Sequence, residues 1–318
     1  MPLSRRQFLA RGSAFSLGFL GLHAALARRA SAALPAEPEF GFGPLIADPG
    51  RILDLPAGFS YRAISRAGEE MADGLLVPGH HDGMAAFPGP EGKTILVRNH
   101  ELEDGWFSSC AFGPKLERLS KLDPAMLYDK GQGKRPGLGG TTTVLYDTKA
   151  GQVERHFLSL AGTVRNCAGG PTPWGSWLSC EEWADPVSTY SEKPHGFIFE
   201  VPARADKPQL AAPVPLTAMG RFKHEAAAVD PASGCIYETE DLGDGLVYRF
   251  IPKERAKLAA GGRLQALMIR DRKSLDTRNW KSQAIAIGQK LSVAWIDIEN
   301  PLAPKDDLRH QGYAKGAA

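Results

Sequence analysis

Apolar, β-branched and aromatic residues recur along this chain in short runs, with Gly, Pro, Asn and Asp in the intervals. Runs bounded in this way by turn formers read as β-strands. The clearest cover residues 61–64, 94–98, 141–146, 153–158, 176–180, 197–201, 226–229, 235–239, 247–251 and 264–269. No long stretch sustains a helical period, and only 114–122 and 252–259 carry short helical signals. Two hairpins stand out. Asp230-Pro231-Ala232-Ser233-Gly234 joins 226–229 to 235–238, and Asp147-Thr148-Lys149-Ala150-Gly151 joins 144–146 to the run beginning at Val153. Repeated units of strand, turn and strand predict an all-β chain of meandering sheets, arranged as propeller blades or as a sandwich. Periodicity alone does not choose between the two.

Residues able to bind metals collect at the ends of these predicted strands. Asn166-Cys167-Ala168-Gly169-Gly170 is followed by Ser176-Trp177-Leu178-Ser179-Cys180 and then by Glu181 and Glu182. Arg98-Asn99-His100-Glu101 closes one strand, Lys223-His224-Glu225 opens another, and Glu238-Thr239-Glu240-Asp241 closes a third. A thiolate and carboxylates can share one metal centre, and the small residues after Cys167 let the backbone fold back so that both reach it. Carboxylates gathered around the central channel of a propeller can hold hard cations such as calcium. Each cluster alone also fits ordinary solvated polarity. His80, His81, His100 and His224 show no HExxH spacing, and hard cations prefer oxygen, so these histidines read as supporting or turn residues. Gly137-Leu138-Gly139-Gly140 lacks the Lys and helix of a nucleotide-binding P-loop.

Composition and the amino terminus change the picture of location. Ser4-Arg5-Arg6-Gln7-Phe8-Leu9 precedes an uncharged stretch over 12–27 and the small-residue triplet Ala30-Ser31-Ala32. This is the layout of a twin-arginine (Tat) signal peptide over residues 1–32, and its apolar stretch is too short to span a membrane. The whole chain has net charge +2, but cleavage after residue 32 leaves 33 basic against 36 acidic side chains, a net −3. A near-neutral mature domain without a basic run lacks the electrostatic footprint of a nucleic-acid binder. No later stretch reaches membrane-spanning length, so the expectation is a periplasmic or secreted protein with no stable membrane anchor and the Tat translocase as its partner during export. Residues 33–318 suffice for one large domain. Four cysteines in an oxidising compartment ordinarily suggest disulfides. Pairing of Cys110 with Cys180, or of Cys180 with Cys235, would leave Cys167 free.

A series of motifs runs in order from the leader to about residue 300. It comprises Asp82-Gly83-Met84, Arg98-Asn99-His100-Glu101, Gly139-Gly140-Thr141-Thr142, Asn166-Cys167-Ala168-Gly169-Gly170 with Thr172-Pro173-Trp174-Gly175, Cys180-Glu181-Glu182, Gly220-Arg221-Phe222-Lys223-His224-Glu225, and Glu240-Asp241 ahead of Tyr248-Arg249-Phe250. In these the chain resembles the PhoX-type alkaline phosphatases. The resemblance implies a six-bladed β-propeller whose central site holds iron and calcium and hydrolyses phosphate esters outside the cytoplasm. Carried over, Cys167 is the iron ligand; Glu101, Glu181 or Glu182, Glu225, and Glu240 or Asp241 are candidate carboxylate ligands. Arg98, Arg221 and Lys223 are candidate phosphate contacts, because guanidinium and ammonium groups pair with phosphate, although each also fits an ordinary strand-end cation. Members of the family continue past the point corresponding to Leu308-Arg309-His310-Gln311-Gly312-Tyr313, whereas this sequence stops at Ala318. The strand count supports about three to four blades, so the expected fold is a truncated propeller, an open arc. Two alternatives stand beside the phosphatase: a metal- or ligand-binding propeller without catalysis, and a calcium-dependent propeller lactonase.

Overall fold

The computed structural model describes residues 41–186, 188–305 and 307–318; the predicted leader lies outside them. The chain divides after Ala63 into two compact units. In the first, strands Leu45–Ile46 (β1) and Leu55–Pro56 (β2) pair antiparallel. Asp48 organises the turn between them, its carboxylate accepting from the backbone N–H of Gly50, Ile52 and Leu53 and from the Tyr61 hydroxyl. The strand expected over 61–64 does not form. The Tyr61 side chain is instead spent on closing this turn.

The second unit is built from His81–Pro88 (β3), Thr94–His100 (β4), Gly139–Asp147 (β5), Gln152–Thr163 (β6), Asn166–Pro171 (β7), Ser176–Glu181 (β8), Ile198–Pro202 (β9), His224–Val229 (β10), Ile236–Glu240 (β11), Val247–Pro252 (β12), Gly262–Ile269 (β13) and Val293–Asp297 (β14). These form three antiparallel meanders in chain order: β3-β4-β5-β6, β7-β8-β9 and β10-β11-β12-β13-β14. Both expected hairpins are present, with Val229 opposite Ile236 and Asp147 opposite Gln152. The two helical signals shrink to short 3-10 turns at Leu119–Lys121 and Leu258–Ala260. Leu308–Ala314 (α1) is the α-helix among the described residues.

Strand alternation stacks the sheets face to face. Along β8, Trp177 joins a core with Ile95, Val97, Phe157 and Phe199, whereas Leu178 and Cys180 join a second core with Ile236, Tyr248, Phe250 and Leu264. The middle sheet is therefore covered on both faces by its neighbours. Leu158, one residue after Phe157, points the other way into a third core with Met71, Leu75, Val77 and Phe112. The possible disulfides are absent: all four cysteines are free, and Cys110 and Cys180 lie in separate cores.

Small residues bring the first strands of the three sheets together, β7 lying against both β3 and β10. A Cβ on Gly170 would run into the carbonyl oxygen of Ala227, and one on Gly83 would stand 2.8 Å from the Ala168 Cα. Only glycine permits these two backbone approaches.

Candidate metal centre

One construction occurs three times, once per sheet. The pairs His81 with His100, Asn166 with Glu181, and His224 with Glu240 each sit where the first two strands of a sheet meet, and each is followed by a register shift in the first strand. The residue after each paired position is acidic or a thiol on both strands: Asp82 with Glu101, Cys167 with Glu182, Glu225 with Asp241. A shared hydrogen bond fixes the second member, since the N–H of Glu101, Glu182 and Asp241 donates to the carbonyl of His80, Arg165 and Lys223 respectively. Bulges turn a side chain out of the regular alternation, which lets Asp82, Cys167 and Glu225 face the same point as the strand-end carboxylates.

The convergence is close. One ligand atom each from Glu101, Cys167 and Glu182 lie within 4.8 Å of one another, as do those of Glu182, Glu225 and Asp241, so Glu182 belongs to both groups. The Cys167 Sγ is 3.5 Å from Glu225 Oε1. Two ligand atoms across a hard cation stand about 5 Å apart, twice a bond of about 2.4 Å, so the cluster has the dimensions of cation sites. Arg165 is the cation seated among these acids, its Nε 2.9 Å from Glu101 and 3.3 Å from Glu182, and its Nη1 3.3 Å from Glu103. One guanidinium does not balance this many acidic groups.

The electrostatic cost registers on the acids themselves. Burial, then the carboxylates of Asp82, Glu225, Glu182 and Glu101, pushes the Cys167 thiol far up. Burial and a hydrogen bond shared with Asp241 raise Glu182 to about 7. Asp82 and Glu225 are raised as well, burial again leading. The crowding therefore strengthens proton binding at Cys167, Glu182, Asp82 and Glu225, and the donor set of one thiol and five carboxylates suits a thiophilic transition metal beside hard cations.

Two of the named carboxylates lie elsewhere, because successive strand residues face opposite sides. Glu181 is fully buried and accepts from the N–H of Val164, Gly196 and Phe197 and from His195. Burial alone would lower His195, yet Glu181 and Asp129 outweigh it and hold the imidazole up at about 9. Glu240 accepts from the Leu246 N–H and the Tyr248 hydroxyl and pairs with Arg309. Glu181→Gln is expected to destabilise the fold by about 2 kcal/mol in denaturant melts, since an amide N–H would face backbone donors, while bound metal per chain stays unchanged. Loss of metal in that variant would place Glu181 in the centre.

Two of the three basic residues do not line the cluster. Arg98 is on the face of β4 opposite Asn99, whose carboxamide donates to the carbonyls of Cys167 and Ala168. Arg221 is spent on the carbonyls of Ala303 and Ala184. Lys223 is half-buried beside Glu225 and offers its carbonyl to Asp241. Asp82 and Arg165 received no role from the sequence. The signal that finds Asp82 is the thrice-repeated register, which becomes visible only once β3 and β7 are known to be strands.

A family model for alkaline phosphatase PhoX matches residues 40–153 and 138–317. No curated protein matches the chain. Among solved structures, PhoX from Pseudomonas fluorescens in complex with vanadate, a transition state analogue, is similar with a TM-score of 0.51 at 18% sequence identity. The match covers 83% of this chain and 61% of that one. Stacked antiparallel meanders meeting at their first strands are consistent with a PhoX-like β-propeller. Matches at both levels, over nearly all of the described residues, make this chain a member of the alkaline phosphatase PhoX family.

Proposed function

We propose that the protein is an exported, metal-dependent phosphatase that hydrolyses phosphate esters at a centre of iron and calcium. The observation that carries this reading is the convergence of Glu101, Cys167, Glu182, Glu225 and Asp241, with Asp82 beside Cys167 and Glu101. Vanadate held by the similar Pseudomonas fluorescens protein supports a phosphate-ester substrate. In this reading residues 1–32 form a Tat signal peptide, and 33–318 supply blades of a six-bladed ring, with the product released in the periplasm or outside the cell.

Cys167 would hold iron, and the surrounding carboxylates calcium. Cations bound there would neutralise the non-bridging oxygens of a phosphate ester and the charge that develops as its alkoxide leaves. The chain's own part is to organise that charge. Cys167 would give up its thiol proton and Glu182 its carboxyl proton to a bound cation, so metal loading would release protons. Arg165 fixes Glu101 and Glu182 in position and stands ready as a phosphate contact once cations have taken over the carboxylates.

The purified protein is expected to hydrolyse p-nitrophenyl phosphate, to lose that activity to a chelator, and to regain it with calcium and iron together. Stoichiometric calcium binding without turnover across a broad panel of phosphate esters would favour a non-catalytic metal-binding role. Hydrolysis of lactones without phosphatase activity would select a lactonase.

A further inference from the structure

The face of the first sheet that holds Arg98 carries one buried guanidinium that the acidic cluster does not use. Arg98 is 8% exposed, and its hydrogen bonds to Ser65 Oγ at 3.1 Å and Thr142 Oγ1 at 3.3 Å both leave from Nη2. Its Nε is buried without a partner. His156, also 8% exposed, has its Nε2 buried and unpartnered. His156 and Leu158 alternate onto the same face of β6, and Leu158 pairs with Thr142, which in turn pairs with Arg98.

The surroundings of Arg98 supply no counter-charge. His81, His100 and His156 all feel the guanidinium, and no carboxylate among the described residues offsets it. His100 donates through Nδ1 to the Gly79 carbonyl at 2.9 Å, so its Nε2 accepts from the Thr142 hydroxyl. Thr142 is therefore occupied on both sides, as acceptor from Arg98 and donor to His100. The Ser65 hydroxyl accepts from Arg98 and keeps its own proton to give. A buried, permanently charged group with an idle donor is costly unless a partner of opposite charge reaches it.

We propose that Arg98, Ser65 and His156 form a binding site for a small oxyanion of the sulfate or phosphate class, on the face of the first sheet opposite the acidic cluster. Both Nη2 protons are spent on Ser65 and Thr142, so the Nε–H is the guanidinium donor that no group in the protein uses, and it would give the ion one charge-assisted hydrogen bond. The Ser65 O–H and the His156 Nε2–H supply two more donors. The bound anion gives Arg98 the counter-charge that the protein withholds and ties the Ile64-Ser65 segment to β4 and β6. The site stands apart from the acidic cluster, so failure of the phosphatase reading leaves it intact.

Thermal melting of the metal-loaded protein in a sulfate titration, with ionic strength held constant by chloride, tests the site. A saturable rise in Tm is expected in the wild type and equally in Cys167→Ser. It should vanish in Arg98→Met, and its midpoint should move about tenfold to higher sulfate in His156→Phe. No saturable rise in the wild type, an unchanged rise in Arg98→Met, or a rise lost in Cys167→Ser would each overturn the proposal. Should Arg98→Met fail to fold, Ser65→Ala and His156→Phe decide: unmoved midpoints in both overturn it, and shifts in both support it.

Discussion

Cys167→Ser is expected to cost about 100-fold or more in turnover of p-nitrophenyl phosphate, at or beyond what loss of a supporting partner costs a metal site. The visible absorbance of a thiolate bound to iron should disappear from the same preparation. Serine keeps the size of the side chain and the bulge that carries it. What is lost is a donor that ionises when a transition metal binds. The acids around Cys167 oppose formation of a free thiolate, so the residue is poorly placed as an unassisted nucleophile. In chelated protein the thiol should accordingly react slowly with iodoacetamide at neutral pH. Turnover and absorbance both unchanged in Cys167→Ser would remove the thiolate from the centre.

How much of this was legible in the sequence depends on what each element uses to form. β8, β11 and β12 alternate buried and exposed or opposite-core residues, and their β-branched and aromatic side chains announced them. β3 and β7 did not announce themselves. Asp82-Gly83-Met84-Ala85-Ala86 has no β-branched residue, and Cys167-Ala168-Gly169-Gly170 reads as a turn, because these strands are held by backbone pairing and close backbone approach rather than by large side chains. Cys167, Glu101 and Glu225 were visible as motif residues. The choices between Glu181 and Glu182, and between Glu240 and Asp241, needed the register, since adjacent residues point to opposite faces and only one of each pair meets the cluster. Arg98 illustrates the limit from the other side: its place in a motif suggested the site, while its position in β4 sends it to the opposite face.

The acidic cluster also predicts opposite pH trends for the metal-loaded and the chelated protein. Without cations, Glu182 is held at about 7 against an ordinary 4.5, burial first and the Asp241 hydrogen bond second, and Asp82 and Glu225 move in the same direction. A carboxyl raised in the folded state binds its proton more tightly there than in the unfolded chain. Its contribution to stability is complete below the unfolded value and declines as pH rises through the folded one. Chelated protein should therefore lose on the order of 2 kcal/mol between about pH 4.5 and 7.5, after allowance for solvent screening. Metal-loaded protein should move the other way over the same interval, because cations compete with protons for these atoms. His195, held up at about 9, also loses stabilisation as pH rises from the ordinary histidine range, but it does so in both forms. The difference between the two therefore isolates the cluster. Denaturant melts of both forms from pH 5 to pH 8 should show the gap widening by on the order of 3 kcal/mol. Parallel curves would mean that the cations bind elsewhere, because ligands that must shed protons to hold a metal cannot leave its affinity independent of pH.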